Sequence, residues 1–88
     1  MQTTLNLLAN ALKTEPNMAT WTKRLGLSDK ALYNARDRGH LSPAIAGALA
    51  EELGQDPKEW IVVAALESER ESACKTRMVK RMAKSLML

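Results

Sequence analysis

The sequence predicts an all-α domain, and three features of its 88 residues favour that class. Apolar residues recur at spacings of three and four, which place them on one face of a helix. Gly and Pro fall at the boundaries between these periodic stretches, where they end or begin helices. No stretch alternates apolar and polar residues as a half-buried strand would. We therefore expect a compact five-helix domain over residues 1–66 and a C-terminal extension over residues 67–88.

The first two predicted helices each begin after a polar N-cap. The first spans Thr4–Leu12, with Thr3 or Thr4 as the capping residue. Its predicted buried face has the helical spacing i, i+3, i+4, i+7 and comprises Leu5, Leu8, Ala9 and Leu12. The second spans Met18–Leu25 and begins after Asn17, which is a favourable N-cap residue.

A glycine separates the second predicted helix from the third. Gly26 ends the second helix, because glycine adopts the left-handed conformation of a sharp helix exit. The third helix follows at once over residues 28–38, with Ser28 as its N-cap and Asp29 complementing the helix dipole. It ends at Gly39, and the apolar residues that face the core are Leu27, Leu32 and Ala35.

The fourth and fifth predicted helices each begin with a capping residue that is followed by a proline. Ser42 is followed by a proline at the first helical position, where the missing N–H has no consequence, and the helix continues through Ala44–Leu53. Asp56 precedes Pro57 in the same way, and this helix reaches at least Leu66. Residues 67–76 are mostly polar, so we expect an exposed helix or a linker there.

Charge is distributed unevenly along the chain. Residues 13–38 hold six Lys and Arg against three acids, residues 51–71 hold two against seven, and residues 75–88 hold five against none. The segment 77–88 also carries apolar residues at helical spacing, so it is predicted to form a basic amphipathic helix if it is ordered.

Composition favours a cytoplasmic protein without a cofactor. The single cysteine, Cys74, excludes an intrachain disulfide and a Cys-based zinc site, and it suits a reducing compartment. The first twelve residues lack the basic start of a signal peptide, and the apolar run Trp60–Leu66 is too short to span a membrane. Phosphate-binding loops, zinc-protease motifs and nucleophile elbows are absent, so no enzyme, metal or cofactor is expected.

The segment Met18–Arg38 is predicted to form a helix-turn-helix. Such a unit needs a tight turn, which Gly26 supplies, and apolar residues that lock two helices together. The residues placed to do this are Trp21, Leu25, Leu27, Leu32 and Ala35. The third helix then presents polar side chains outward, and these are Ser28, Asp29, Lys30, Tyr33, Asn34 and Asp37. Asn can pair with adenine and Lys can donate to guanine in the major groove.

This chain resembles the Cro/repressor-type helix-turn-helix regulators of phages, which have a lambda-repressor-like DNA-binding domain. The resemblance covers Leu5–Ile61 and is carried mainly by Lys23–Ser28, by Arg38 with the following glycine, and by Leu49–Trp60. It departs from the family pattern at three places. Thr22 stands where Ala or Gly is usual, the second helix has an apolar rather than polar start, and the third helix is one residue longer.

The resemblance implies a DNA-binding role for particular residues of the third helix and its surroundings. The implied base contacts are Asp29, Lys30, Tyr33 and Asn34. The implied phosphate contacts are Lys23, Ser28, Arg36 and Arg38. It also implies a repressor-like transcriptional regulator, of phage or prophage type, that acts on double-stranded DNA in the nucleoid or in phage-infected bacterial cytoplasm.

Several of these side chains have simpler interpretations. Asp29 can serve only the helix dipole, and Tyr33 can be a half-buried core aromatic. Arg36 and Arg38 can be ordinary solvated charges. His40, the only histidine, is expected to be a surface loop residue rather than a phosphate contact, and Cys74 an inert thiol rather than a redox switch.

A regulator of this kind is expected to be a homodimer, since one module reads only a short half-site. The candidate dimer or partner residues are Trp60, Ile61, Val63, Met78 and Met82. The alternative function is a protein-interaction module, such as an antirepressor, an antitoxin or a host-factor inhibitor. In that case the basic tail or a Met-rich face, formed by Met78, Met82 and Met87, binds a protein groove, and the helix-turn-helix is only a scaffold. Membrane-surface binding by the tail is a third hypothesis, and no membrane is the expected outcome.

Overall fold

The computed structural model describes residues 3–86, with side chains placed through residue 83, and the described chain is entirely helical apart from its connections. The helices are α1 (Thr4–Thr14), α2 (Met18–Leu25), α3 (Ala31–Arg38), α4 (Pro43–Glu52), α5 (Pro57–Ser68) and α6 (Ala73–Leu86). This confirms the predicted all-α class. Predictions for residues 87–88 and for the side chains of 84–86 lie outside the described residues.

Helix starts follow the predicted polar caps at four places. The first N–H groups of a helix lack intrahelical partners, and a side-chain oxygen just before the helix can accept from them. Asn17 accepts from the Ala19 amide at 2.9 Å. The other capping residues that accept in this way are Thr3 before α1, Ser42 before α4 and Asp56 before α5.

The core is built from α1 to α5 and from the loop between α3 and α4. It comprises Leu7, Leu8, Ala11, Met18, Trp21, Leu32, Ala35, Leu41, Ala46, Leu49, Ala50, Trp60, Val63 and Ala64. The closest helix pair is α4 with α5, and Gly47 permits that approach. A Cβ at Gly47 would lie 2.8 Å from Cγ1 of Ile61, which is shorter than any ordinary contact.

The buried face of α1 differs from the predicted one by a single position. The buried residues are Thr4, Leu7, Leu8 and Ala11, each one residue before its predicted counterpart. Ala9 is exposed, and Leu5 and Leu12 are only partly buried. One residue corresponds to a helix rotation of about 100°. The rotation brings Thr4 inward, where its hydroxyl has hydrogen-bond partners on two other segments.

The C-terminal extension divides into a helix end, a linker and a new helix. α5 continues past the predicted minimum of Leu66 and ends at Ser68. Residues 69–72 connect it to α6, which begins at Ala73, so the segment 67–76 is part linker and part exposed helix. None of the described α6 side chains, residues 73–83, is fully buried, so α6 lies outside the core. No helix within residues 3–86 is both long enough and apolar enough to cross a membrane.

Candidate nucleic-acid interface

The turn after α2 is closed by two backbone hydrogen bonds around Gly26. The Gly26 amide donates to the Lys23 carbonyl at 3.2 Å, and the Leu27 amide donates to the Thr22 carbonyl at 2.8 Å. Gly26 has φ 68° and ψ 34°, a left-handed conformation that residues with a Cβ rarely adopt. These bonds form the glycine-terminated helix end that satisfies the last carbonyls of α2. The chain therefore turns sharply towards α3.

Thr22 is compatible with close packing at this turn, although Ala or Gly is usual there in the family that the sequence resembles. Its side chain is buried, and its hydroxyl donates to the Ala19 carbonyl at 2.9 Å. The hydroxyl is therefore satisfied within α2 and needs no partner across the helix pair. Trp21 of α2 and Leu32 and Ala35 of α3 lie in the same core cluster.

The predicted start of the third helix is wrong by three residues. α3 begins at Ala31, and Ser28 makes no side-chain cap. The Ala31 amide donates to the Ser28 carbonyl at 3.1 Å, and the Lys30 carbonyl accepts the first helical bond, from Asn34, at 2.8 Å. Ser28, Asp29 and Lys30 thus form a turn that precedes the helix. Because Asp29 lies outside the first helical turn, its predicted place there is also wrong.

One exposed row of side chains runs along α3. Tyr33 and Asn34 lie four and three residues before Asp37, which aligns the three on one side of α3, and the N-cap residue Lys30 precedes Tyr33 by three. All four are exposed, opposite the buried Leu32 and Ala35, and we call them the outward row. Three of them are predicted base contacts, and the fourth predicted one, Asp29, is exposed in the preceding turn. Tyr33 is 44% exposed, so it is not a core aromatic.

The predicted phosphate contacts flank the outward row. Arg36 and Arg38 are exposed at the last turn of α3, Lys23 is exposed at the end of α2, and Ser28 is exposed in the turn. The Arg36 guanidinium lies 5.3 Å from the centre of the Tyr33 ring. This distance is within the range of a cation–π contact between neighbouring side chains on the solvent side of α3.

Two further exposed charged residues of the segment 18–38 are missing from the predicted contacts. Arg24 is exposed, and its guanidinium lies 5.0 Å from the centre of the Trp21 ring. The sequence signal is the three-residue spacing between a tryptophan and an arginine on one helix. Asp37 completes the outward row at i+7 from Lys30, a spacing that is also visible in the sequence. It places a negative charge in a surface that is otherwise mainly positive.

The exposed charge of the segment 18–38 is positive on balance. Its exposed cations are Lys23, Arg24, Lys30, Arg36 and Arg38. Its exposed acids are Asp29 and Asp37. This excess of cations over acids favours association with a polyanion.

The predicted dimer residues are divided between core and surface. Trp60 is 7% exposed and Val63 is 3% exposed, because both pack into the core of the single chain. The prediction that Trp60 and Val63 contact a partner is therefore wrong. Ile61 and Met78 are each 41% exposed, and Met82 is partly buried. The first two remain accessible to a partner.

The other candidate chemical groups do not assemble into a reactive site. His40 is partly buried, and among the described residues its Nδ1 atom has no hydrogen-bond partner. Cys74 is a free thiol, exposed on α6. Within the described part of the chain, His, Cys, Asp and Glu side chains form no group of three that could hold a metal ion.

No protein-family model, curated protein or solved structure matches this chain. The candidate interface is therefore defined by its own geometry, which consists of a glycine-closed turn, the outward row on α3 and flanking cations.

Proposed function

We propose that this chain is a sequence-specific DNA-binding regulator in which α2, the turn and α3 act as a helix-turn-helix of the Cro/repressor type. The observation that carries the proposal is the outward row, since it lines up four exposed polar or aromatic side chains beside flanking cations. A helix about 10–12 Å across fits a major groove about 12 Å wide. In this arrangement α3 lies in the groove and the outward row faces the base edges.

The residue types in the outward row match known base-edge chemistry. Asn34 can donate to and accept from adenine, and Lys30 can donate to the O6 and N7 atoms of guanine. Asp37, and Asp29 in the turn, can each accept from the amino group of cytosine, which gives the two acids a role in a positive surface. Lys23, Ser28, Arg36 and Arg38 then contact phosphates and set the orientation of α3.

Dimerisation belongs to the same proposal. One module of this size reads a short half-site, and a two-fold dimer doubles the sequence that is read. Ile61 is the candidate contact on α5, since it is the exposed large apolar residue of that helix, at 41%. Repression by occupation of an operator is the simplest use of such a dimer.

The test compares two matched double variants. Lys30→Ala/Asn34→Ala removes a lysine and an asparagine from the outward row. Lys13→Ala/Asn10→Ala removes the same residue types from exposed positions of α1. Each protein selects binders from a pool of random duplexes, which are then sequenced, and circular dichroism checks that the helices are intact.

We expect the wild type and the α1 variant to enrich the same sequence. The outward-row variant should lose that enrichment, because each good base contact contributes about 1–3 kcal/mol, or roughly 5- to 150-fold in affinity. The proposal is overturned if the wild type enriches nothing, or if the outward-row variant enriches the wild-type sequence.

A protein-interaction module is the second candidate function, and the exposed acids Asp29 and Asp37 favour it because they repel phosphate. The apolar start of α2 no longer supports it, since Met18 is buried in the core. If the wild type enriches no duplex, an antirepressor, antitoxin or host-factor inhibitor becomes the better account.

A further inference from the structure

α6 is an amphipathic helix whose apolar side is partly buried against the rest of the chain. The side chains that are partly buried are Lys75, Val79, Met82 and Ala83, which fall on one side of the helix. The neighbouring α5 is the main element that contacts α6. An interfacial membrane helix needs a free apolar face to insert between lipids. Val79, Met82 and Ala83 are partly buried, so only part of that face is available for insertion.

The opposite side of α6 carries an exposed row of cations. Arg77, Lys80 and Arg81 are all exposed, and we call them the cationic stripe. Arg77 is three residues from Lys80 and four from Arg81, so their charges are neighbours on the helix surface and repel one another. No acid follows Glu71 in the sequence. Repulsion of this kind lowers the stability of the free helix and is relieved when a polyanion neutralises it.

Within the described residues, Arg77, Lys80 and Arg81 form no ion pair with a carboxylate. The one close ion pair there joins Lys75 to Glu71, with Nζ and Oε1 at 2.7 Å. Lys75 lies on the packed side of α6, away from the stripe. The side chains of the stripe can therefore contact solvent and anions from outside the chain.

The beginning of α6 lies beside the end of α3. Gly39 and His40, which follow α3 directly, line one cleft of about 380 Å³ together with Lys75 and Val79 of α6. This cleft places the packed side of α6, through Lys75 and Val79, next to the chain that leaves α3.

We infer that α6 is a second DNA-binding element, in which the cationic stripe contacts the phosphate backbone without reading sequence. This inference rests on the proposed function, since α3 positions the duplex. Contacts of Arg and Lys with phosphates carry no sequence information, so a stripe held on the backbone adds affinity equally to all sequences. Each cation that neutralises one phosphate steepens the salt dependence of binding.

The experiment measures the slope of log K against log salt for a random-sequence 20-base-pair duplex. Arg77→Gln/Arg81→Gln removes two charges from the stripe, and Lys13→Gln/Lys58→Gln removes two exposed charges from α1 and α5 as the matched control. Circular dichroism verifies that both variants keep their helices.

We expect the stripe variant to lower the magnitude of the slope by about 1.8, which is twice the value of about 0.9 per phosphate on duplex DNA. The control should keep the wild-type slope. The stripe variant should also select the same sequence as the wild type from a random pool, with weaker binding to every duplex.

The experiment distinguishes a failure of the α6 inference from a failure of the proposed DNA-binding function. If the wild type binds DNA and the stripe variant keeps the wild-type slope, the role of α6 is overturned and the proposed function stands. If the wild type binds no duplex even at low salt, both are overturned. Wild-type binding to phosphatidylserine vesicles that the stripe variant loses, together with an unchanged DNA slope, would assign the stripe to an anionic membrane surface instead.

Discussion

The Thr4 hydroxyl donates a 2.6 Å hydrogen bond to Oε1 of Glu67, which lies 63 residues later at the end of α5. The same hydroxyl oxygen accepts from the Leu41 amide at 2.8 Å. Both Glu67 carboxylate oxygens also lie 3.2 Å from the Thr4 amide in the first turn of α1. One fully buried threonine thus joins the start of α1, the end of α5 and the segment that leaves α3. It fixes the direction in which the chain exits the candidate interface.

Replacing Thr4 with valine is expected to destabilise the protein by about 1–3 kcal/mol, since the Leu41 amide and the Glu67 carboxylate would lose a partner. Valine preserves the shape of threonine, so packing changes little. The control is Thr14→Val, because the Thr14 hydroxyl donates to the Ala11 carbonyl at 2.8 Å from an exposed position. We expect that variant to change the stability by less than about 0.5 kcal/mol. Urea unfolding measures both, and equal losses would contradict the assigned role of Thr4.

Gly26→Ala is expected to cost about 1–2 kcal/mol, because alanine is strained in the left-handed conformation. A Cβ at Gly26 would meet nothing within 4 Å, so the loss would come from backbone conformation alone. Gly26→Asn should lose less, since asparagine tolerates this region better than alanine. Thermal unfolding of the two variants gives the order, and an alanine variant as stable as the wild type would argue against a strained turn.

Local chemistry allowed most helix boundaries to be predicted from the sequence. Asn17, Ser42 and Asp56 each accept a hydrogen bond from an amide two or three residues later, so the residues that decide these starts are adjacent in the chain. The start of α3 could not be predicted in this way. Ser28 is an equally good cap residue, but the chain there forms a turn that places the first helical bond on the Lys30 carbonyl.

Arg36→Ala and Asn34→Ala are expected to weaken DNA binding in different ways. Loss of Arg36 should weaken binding to all duplexes and lower the salt slope by about 0.9, as expected for one phosphate contact. Loss of Asn34 should weaken binding only to the preferred sequence, by roughly 5- to 150-fold. Fluorescence anisotropy with a selected and a scrambled duplex separates the two effects. A changed sequence preference in Arg36→Ala would reassign that residue to base contact.

Ile61→Glu is expected to convert the proposed homodimer to a monomer, because the charge would be desolvated in the contact. The side chain is 41% exposed but also lies against Gly47 of α4, so circular dichroism must show a folded variant before its mass is interpreted. Ala65→Glu places the same charge at another exposed position of α5 and serves as the control. Light scattering gives the mass of each protein. A monomeric wild type, or a dimeric Ile61→Glu variant, would remove Ile61 from the dimer contact.

The candidate interface was predictable where it depends on helical spacing and unpredictable where it depends on distant contacts. Lys30, Tyr33 and Asn34 are exposed because Leu32 and Ala35, on the same short helix, face the core. Trp60 was assigned to a partner surface, yet its ring is held in the core and its Nε1 donates to Gln55 at 2.8 Å. The buried Thr4 of α1 has its hydrogen-bond partner in Glu67, 63 residues later, which no pattern within α1 can indicate.

The most direct test of the central claim is an NMR titration of the ¹⁵N-labelled protein with a selected duplex, followed through the backbone amides. The account predicts that the largest shift changes fall on residues 28–38 and on the last turn of α2, with smaller, salt-sensitive changes along α6. The claim would be contradicted if the duplex binds while the amides of residues 28–38 do not shift.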